Sequence, residues 1–174
     1  MNVNKPTRII THHAWSSKKY TTEMCDADHR KRWPDFYSSR GYWVGYHFFI
    51  EWDGTVRQTR ALGEEGAHTI GMNRSSIGVC FAGNMDKHMP SEEQKKAWKR
   101  VYKKIRDQYP NLTPDTVVPH RKYAPKSCHG ALLADDYYGQ LVRRKTDAEL
   151  KKQYFELLSL YTKLLALVKR QRMQ

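Results

Sequence analysis

His120, Lys126 and Cys128 fall within one short stretch, Val118-Pro-His-Arg-Lys-Tyr-Ala-Pro-Lys-Ser-Cys128. Imidazole and thiolate are donors suited to zinc, and Lys126, two residues before the cysteine, can reach the same place. A second segment, Arg8-Ile-Ile-Thr-His-His-Ala-Trp15, reads as an apolar strand that delivers His12 at its end. Two histidines and one cysteine make three protein ligands. Tetrahedral zinc then keeps its fourth position open, as catalytic rather than structural sites do.

A His-x7-Cys spacing carries little weight alone. Two further segments add to it: Val44-Gly-Tyr-His-Phe-Phe-Ile-Glu-Trp-Asp-Gly-Thr-Val56 and Gly66-Ala-His-Thr-Ile-Gly-Met-Asn-Arg-Ser-Ser-Ile-Gly-Val-Cys-Phe-Ala-Gly83. Together, and in this order from about Arg8 to about Leu141, the segments resemble the type 2 N-acetylmuramoyl-L-alanine amidases. That zinc family includes phage endolysins, bacterial cell-wall recycling amidases and the peptidoglycan recognition proteins. The short phage enzymes are the most similar.

The resemblance implies a zinc-dependent hydrolase that cuts the amide between the lactyl group of N-acetylmuramic acid and L-alanine of the stem peptide. It implies one zinc ion on His12, His120 and Cys128, with Tyr46 and Lys126 assisting catalysis and His68 and Asn73 lining the substrate groove. A phenol or ammonium aimed at the oxyanion of a tetrahedral intermediate stabilises it. Read without the family, Tyr46 is a packed strand aromatic, Lys126 a solvated charge, and His68 and Asn73 turn-stabilising residues. No residue is assigned as general base. Glu51 follows Tyr46 on its strand without matching a family position, which leaves zinc hydroxide assisted by Tyr46 or Lys126. His13 alternates to the opposite side of the strand from His12. His129 stands where proline often follows the ligand cysteine and is a reserve ligand.

These residues need elements to hold them. Strand and helix signals alternate, as in α/β proteins. The expected architecture is a single domain with a central mixed β-sheet flanked by helices and the zinc site at one end of the sheet. Strands are expected at Arg8 to His13, Tyr46 to Trp52, Thr55 to Thr59, Ser76 to Ala82 and Thr116 to Val118. Asp53-Gly54 marks a hairpin turn. A helix is expected within Thr21 to Arg40, interrupted or begun near Pro34. Ser91-Glu-Glu-Gln94 fits a capping box that opens a helix with Ala97, Trp98, Val101, Tyr102 and Ile105 on one face, closed by Pro110.

A second capping box, Thr146-Asp-Ala-Glu149, opens a C-terminal amphipathic helix, so the expected division is 1–141 and 142–174. Tyr154, Leu157, Leu158, Tyr161, Leu164, Leu165 and Val168 recur at helical spacing, with Lys151, Lys152, Lys163, Lys169, Arg170 and Arg172 adding positive charge. Three readings stay open: docking on the domain, binding an anionic outer-membrane or lipid surface, and contact with a protein partner or a second copy.

Lysine and arginine number 31 against 18 aspartates and glutamates, a net charge of +13. That balance favours polyanionic partners such as nucleic acid, anionic lipid or an acidic cell wall. Nucleic-acid binding leaves the His/Cys pattern unexplained, so peptidoglycan is the expected partner, met by a monomer. Three cysteines are too few for a disulfide scaffold. Cys80 reads as a core thiol and Cys25 as a free thiol in a polar stretch, with a bridge between them as the alternative. No apolar leader is visible at the N-terminus, and no run approaches the roughly 18–20 residues that span a bilayer. The expectation is synthesis in the host cytoplasm and holin-mediated release to the wall. Two alternatives share the resemblance: a non-catalytic peptidoglycan-recognition module, and an amidase that also restrains a phage RNA polymerase.

Overall fold

The computed structural model describes residues 3–144 and 147–171. The chain divides into two compact units, Met1–Val142 and Arg143–Gln174.

The first unit is built on five strands: β1 (Arg8–His13), β2 (Phe48–Ile50), β3 (Val56–Gln58), β4 (Ser76–Phe81) and β5 (Val117–Pro119). Their order across the sheet is β3-β2-β4-β1-β5. The β2–β3 pair is antiparallel and the other neighbours are parallel, so the sheet is mixed, as expected. The helices are α1 (Thr22–Arg32), α2 (Glu92–Gln108) and the short α3 (Tyr137–Gln140).

Strand alternation divides the sheet into two faces. Ile9, Phe48, Ile50, Ile77, Val79 and Phe81 point into the main core, where Ala97, Trp98, Val101, Tyr102 and Ile105 of α2 meet them. The Ser91 capping box is present with both of its hydrogen bonds. It fixes where α2 begins and therefore which of its faces is buried. On the other face Phe49 and Cys80 pack with Cys25, Val44 and Ala82. This thinner side carries the chemistry.

Several boundaries differ from expectation for local reasons. Helix α1 starts at the Thr21 cap, whose side chain accepts from the Met24 amide, and stops at Arg32. Trp33 precedes Pro34, and a residue before proline is pushed out of helical geometry. The hairpin strands are shorter than the β-rich runs suggested. Backbone bonding nevertheless continues beyond them, from Thr59 N–H to the His47 carbonyl (2.9 Å) and from His47 N–H to the Gly78 carbonyl (2.8 Å). The turn itself is as expected, with Gly54 at φ +85°, a conformation cheap only for glycine. Strand β5 starts one residue late because Pro114–Thr116 forms a 3-10 turn. It ends on Pro119, tolerated because β5 is an edge strand.

All three cysteines are free and buried, so the Cys25–Cys80 bridge is absent. Cys25 is free, as expected, and despite its polar neighbours in sequence it is a core residue, carried inward by the inner face of α1.

The second unit contains α4 (Asp147–Gln171). Leu150, Tyr154, Phe155, Leu157, Leu158, Leu160, Tyr161, Leu164, Leu165, Leu167 and Val168 are exposed. The capping box at Thr146, together with Lys145, Arg172 and the side chains of Glu149, Lys169 and Arg170, lies outside the described residues. No described helix is long and apolar enough to cross a membrane.

Candidate metal centre

Strand β1 is an interior strand, bonded to β4 on one side and to the edge strand β5 on the other. His12 is its penultimate residue, paired in register with Cys80 of β4. His120 follows directly on Pro119 at the end of the adjacent parallel strand β5, opening a 3-10 turn. Two neighbouring strands running the same way thus deliver two imidazoles to the same end of the sheet, with ring centroids 4.5 Å apart.

Cys128 arrives on the loop that follows. Its Sγ lies 3.8 Å from His12 Nδ1 and 3.9 Å from the His13 carbonyl. The loop is held from both sides. The Arg121 guanidinium donates to the carbonyls of Gly130 (2.8 Å) and Leu133 (2.6 Å) and pairs with Asp135. Asp86 accepts from the Ser127 hydroxyl (2.8 Å) and the Ala131 amide (2.6 Å).

The ligand atoms of His12, His120 and Cys128 lie within 4.8 Å of one another. With Zn–N near 2.0 Å and Zn–S near 2.3 Å, tetrahedral ligands sit about 3.6 Å apart. The His12–Cys128 separation is close to that, so the donor set fits zinc in both chemistry and size. Burial, reinforced by His68 and His120, holds the His12 imidazole well below its usual range. Burial and the nearby Lys126 cation lower His120. Both histidines therefore keep free lone pairs at neutral pH. Burial pushes the Cys128 thiol up to about 12, so a metal must displace its proton on binding.

The other expected site residues are distributed around this trio. The Tyr46 ring centroid is 5.0 Å from that of His12 and 5.5 Å from that of His29. Burial, with Cys80, Cys25 and Cys128 nearby, raises the Tyr46 phenol well above its ordinary value. It is a neutral donor rather than a phenolate. Lys126 is exposed, yet its charge is felt at both His120 and Cys128. His68 stands against His12, with Nδ1 3.1 Å from His12 Nε2. Asn73 braces the loop that carries it: its Oδ1 accepts from the His68 and Thr69 amides at 2.9 and 2.8 Å.

His129 is not a ligand in reserve. Its Nδ1 lies 2.6 Å from Thr11 Oγ1 and its Nε2 3.1 Å from the Ala134 carbonyl, so both ring nitrogens are occupied. His13 Nδ1 accepts from the Met85 amide at 2.9 Å, on the core side of β1. Glu51 accepts from the Thr22 amide (3.2 Å) and hydroxyl (2.7 Å) at the start of α1. Sequence reasoning assigned no role to His29, whose Nδ1 accepts from the Gly45 amide at 2.9 Å while its ring backs Tyr46. It also assigned none to Arg121. Neither stands in a spacing that distinguishes it from other surface-type residues.

Residues 2–131 match the family model described as N-acetylmuramoyl-L-alanine amidase. An endolysin of Enterobacteria phage K11 is 37% identical over 90 residues, 49% of this chain and 58% of that protein. The chain thus spans somewhat under two thirds of that relative's length. Peptidoglycan-recognition protein 2 of Holotrichia diomphalia is 28% identical over 123 residues, 66% of this chain and 66% of that protein. Among solved structures, the N-acetylmuramoyl-L-alanine amidase LysC from Clostridium intestinale superposes with a TM-score of 0.63 at 23% identity, covering 75% of this chain and 82% of that one. At that identity the likeness speaks for the fold.

Proposed function

Because the chain belongs to the N-acetylmuramoyl-L-alanine amidase family, we propose that it is a zinc-dependent peptidoglycan hydrolase acting in phage-induced lysis. The bond cut is the amide between N-acetylmuramic acid and L-alanine of the stem peptide. The observation that carries this reading is the convergence of His12, His120 and Cys128 within 4.8 Å. A recognition module that only holds peptidoglycan has no use for three convergent metal donors, whereas a zinc hydrolase would use them and would keep a further position for water. The likeness to phage endolysins supports the lytic role.

His12, His120 and Cys128 hold the ion, which when bound supplies an activated water and a Lewis acid for the carbonyl. Hydrolysis breaks the C–N bond, leaves the water oxygen on the lactyl carbonyl carbon and sends the amine away with a proton. Negative charge gathers on the carbonyl oxygen in between. Tyr46, a neutral phenol, and Lys126, an exposed cation at the rim, are the groups suited to stabilise it. His68 and Asn73 share a loop, His68 beside His12, and on this reading they line the substrate groove.

The exposed apolar side of α4, with Lys151, Lys152 and Lys163 on the same helix, suits an anionic lipid surface. Buried apolar area and charge attraction act together in such binding.

Product analysis tests the amidase reading. Purified peptidoglycan digested by the protein should gain free amino groups of L-alanine. New reducing sugars in their place would make it a glycosidase, and no new groups would make it a binding module.

A further inference from the structure

An imidazole that ligates a metal through one nitrogen presents a proton on the other, and the acceptor of that proton sets ring orientation and tautomer. His12 has Nδ1 toward Cys128 Sγ at 3.8 Å. Its Nε2 points the other way, to His68 Nδ1 at 3.1 Å. Thr69 Oγ1 closes the triangle, 3.1 Å from the same His68 nitrogen and 3.5 Å from His12 Nε2.

The proton directions form a consistent chain. Ser76 donates its hydroxyl proton to the Met72 carbonyl at 2.7 Å, leaving its oxygen free to accept. His68 Nε2 lies 3.5 Å from that oxygen, so a proton on Nε2 leaves the Nδ1 lone pair for His12. His12 then carries its proton on Nε2 and keeps the Nδ1 lone pair on the side of Cys128.

The fold makes room for this chain. Gly78 of β4 pairs with Ile10, two residues before His12. A Cβ there would sit 2.5 Å from His68 Cδ2 and Cγ. A Cβ on Gly66 would also come within 2.5 Å of His68 Cδ2. The imidazole thus occupies a socket that two glycines leave open, with its plane at 84° to that of His12. Asn73 holds the His68 backbone in place.

We propose that His68 is a positioning residue for the metal centre: it accepts the His12 Nε2 proton and so fixes the tautomer and orientation in which His12 offers Nδ1 to the ion. This goes beyond a role in lining the groove, and it rests on the zinc reading above.

The test is the zinc affinity of the purified, metal-stripped protein, measured by competition with a chromophoric chelator. His68→Leu fills the socket without an acceptor. His68→Asn restores an acceptor oxygen near the place of Nδ1. The expected result is about 10- to 100-fold weaker zinc binding in His68→Leu, with affinity largely recovered in His68→Asn. Thermal unfolding of the stripped forms checks that both variants fold. Should His68→Leu unfold, the comparison of His68→Asn with His68→Ser, whose hydroxyl is too short to reach, decides instead. Equal affinity in acceptor and non-acceptor variants and wild type overturns the proposal and leaves the zinc reading standing. Wild-type protein that binds no zinc, with Cys128→Ser indistinguishable from it, overturns both.

Discussion

His12 Nδ1 and Cys128 Sγ lie 3.8 Å apart although 116 positions separate them in the chain. The contact depends on β5 lying parallel to β1, so that the chain leaves the sheet beside His12 and returns through one loop. It also sets a chemical condition. Burial holds the Cys128 proton in place up to about pH 12, and only a competing cation removes it near neutrality.

Protein purified without added metal should contain about one zinc per chain, with a proton released on loading. Elemental analysis and the pH dependence of zinc affinity measure this. Chelation should abolish activity and zinc restore it, and Cys128→Ser should lose both metal and turnover. Full activity in metal-free protein would remove the basis of the mechanism.

Tyr46→Phe and Lys126→Ala should keep the fold and the ion but lose turnover. One oxyanion donor is worth on the order of 10²–10³ in rate. Steady-state rates on purified peptidoglycan, with zinc content measured in parallel, decide the matter. A Lys126→Ala variant as fast as wild type would leave that lysine a solvated charge.

Acid should destabilise the first unit well before its carboxylates titrate. Burial depresses His47 and His29 from 6.5 to about 4. Below pH 6.5 the unfolded chain takes up protons that the folded chain refuses, so the stabilising contribution is complete above 6.5 and is lost as pH falls toward 4. Each tenfold difference in proton affinity between the folded and unfolded chain is worth about 1.4 kcal/mol, which makes the loss on the order of a few kcal/mol. A melting temperature that stays level from pH 7 to 4.5 would contradict it.

Truncation after Lys145 should leave folding and activity on purified peptidoglycan intact while reducing binding to anionic vesicles and action on whole cells. The vesicle binding of the full chain should weaken as salt rises, because screening acts over about 8–10 Å at physiological ionic strength. A large drop in melting temperature with parallel loss on both substrates would instead make α4 part of the core.

Strand β1, the hairpin turn and the Ser91 capping box are legible in the sequence because each is written in local residue order. Alternation, a glycine turn, a cap and a strand end all act over a few residues. The grouping of His12, His120 and Cys128, by contrast, is legible through the family resemblance and not through spacing alone. The exit of α1 differs from expectation only in extent, since Pro34 is visible but its effect falls on Trp33. The other differences are tertiary. Cys25 sits among polar neighbours in sequence, yet the inner face of α1 buries it. Glu51, which matches no family position, is engaged by the Thr22 amide and hydroxyl at the start of α1. The contact between His68 and His12 spans 56 positions and depends on Gly78 being bare, which no spacing rule expresses.

The ties from Arg121 and Asp86 to the loop that carries Cys128 fall on both sides of the thiol, at Ser127, Gly130, Ala131 and Leu133, and are made between protein groups. On the zinc reading, emptying the centre should therefore cost the molecule its reactivity while the loop keeps its fold, and reloading should need no refolding.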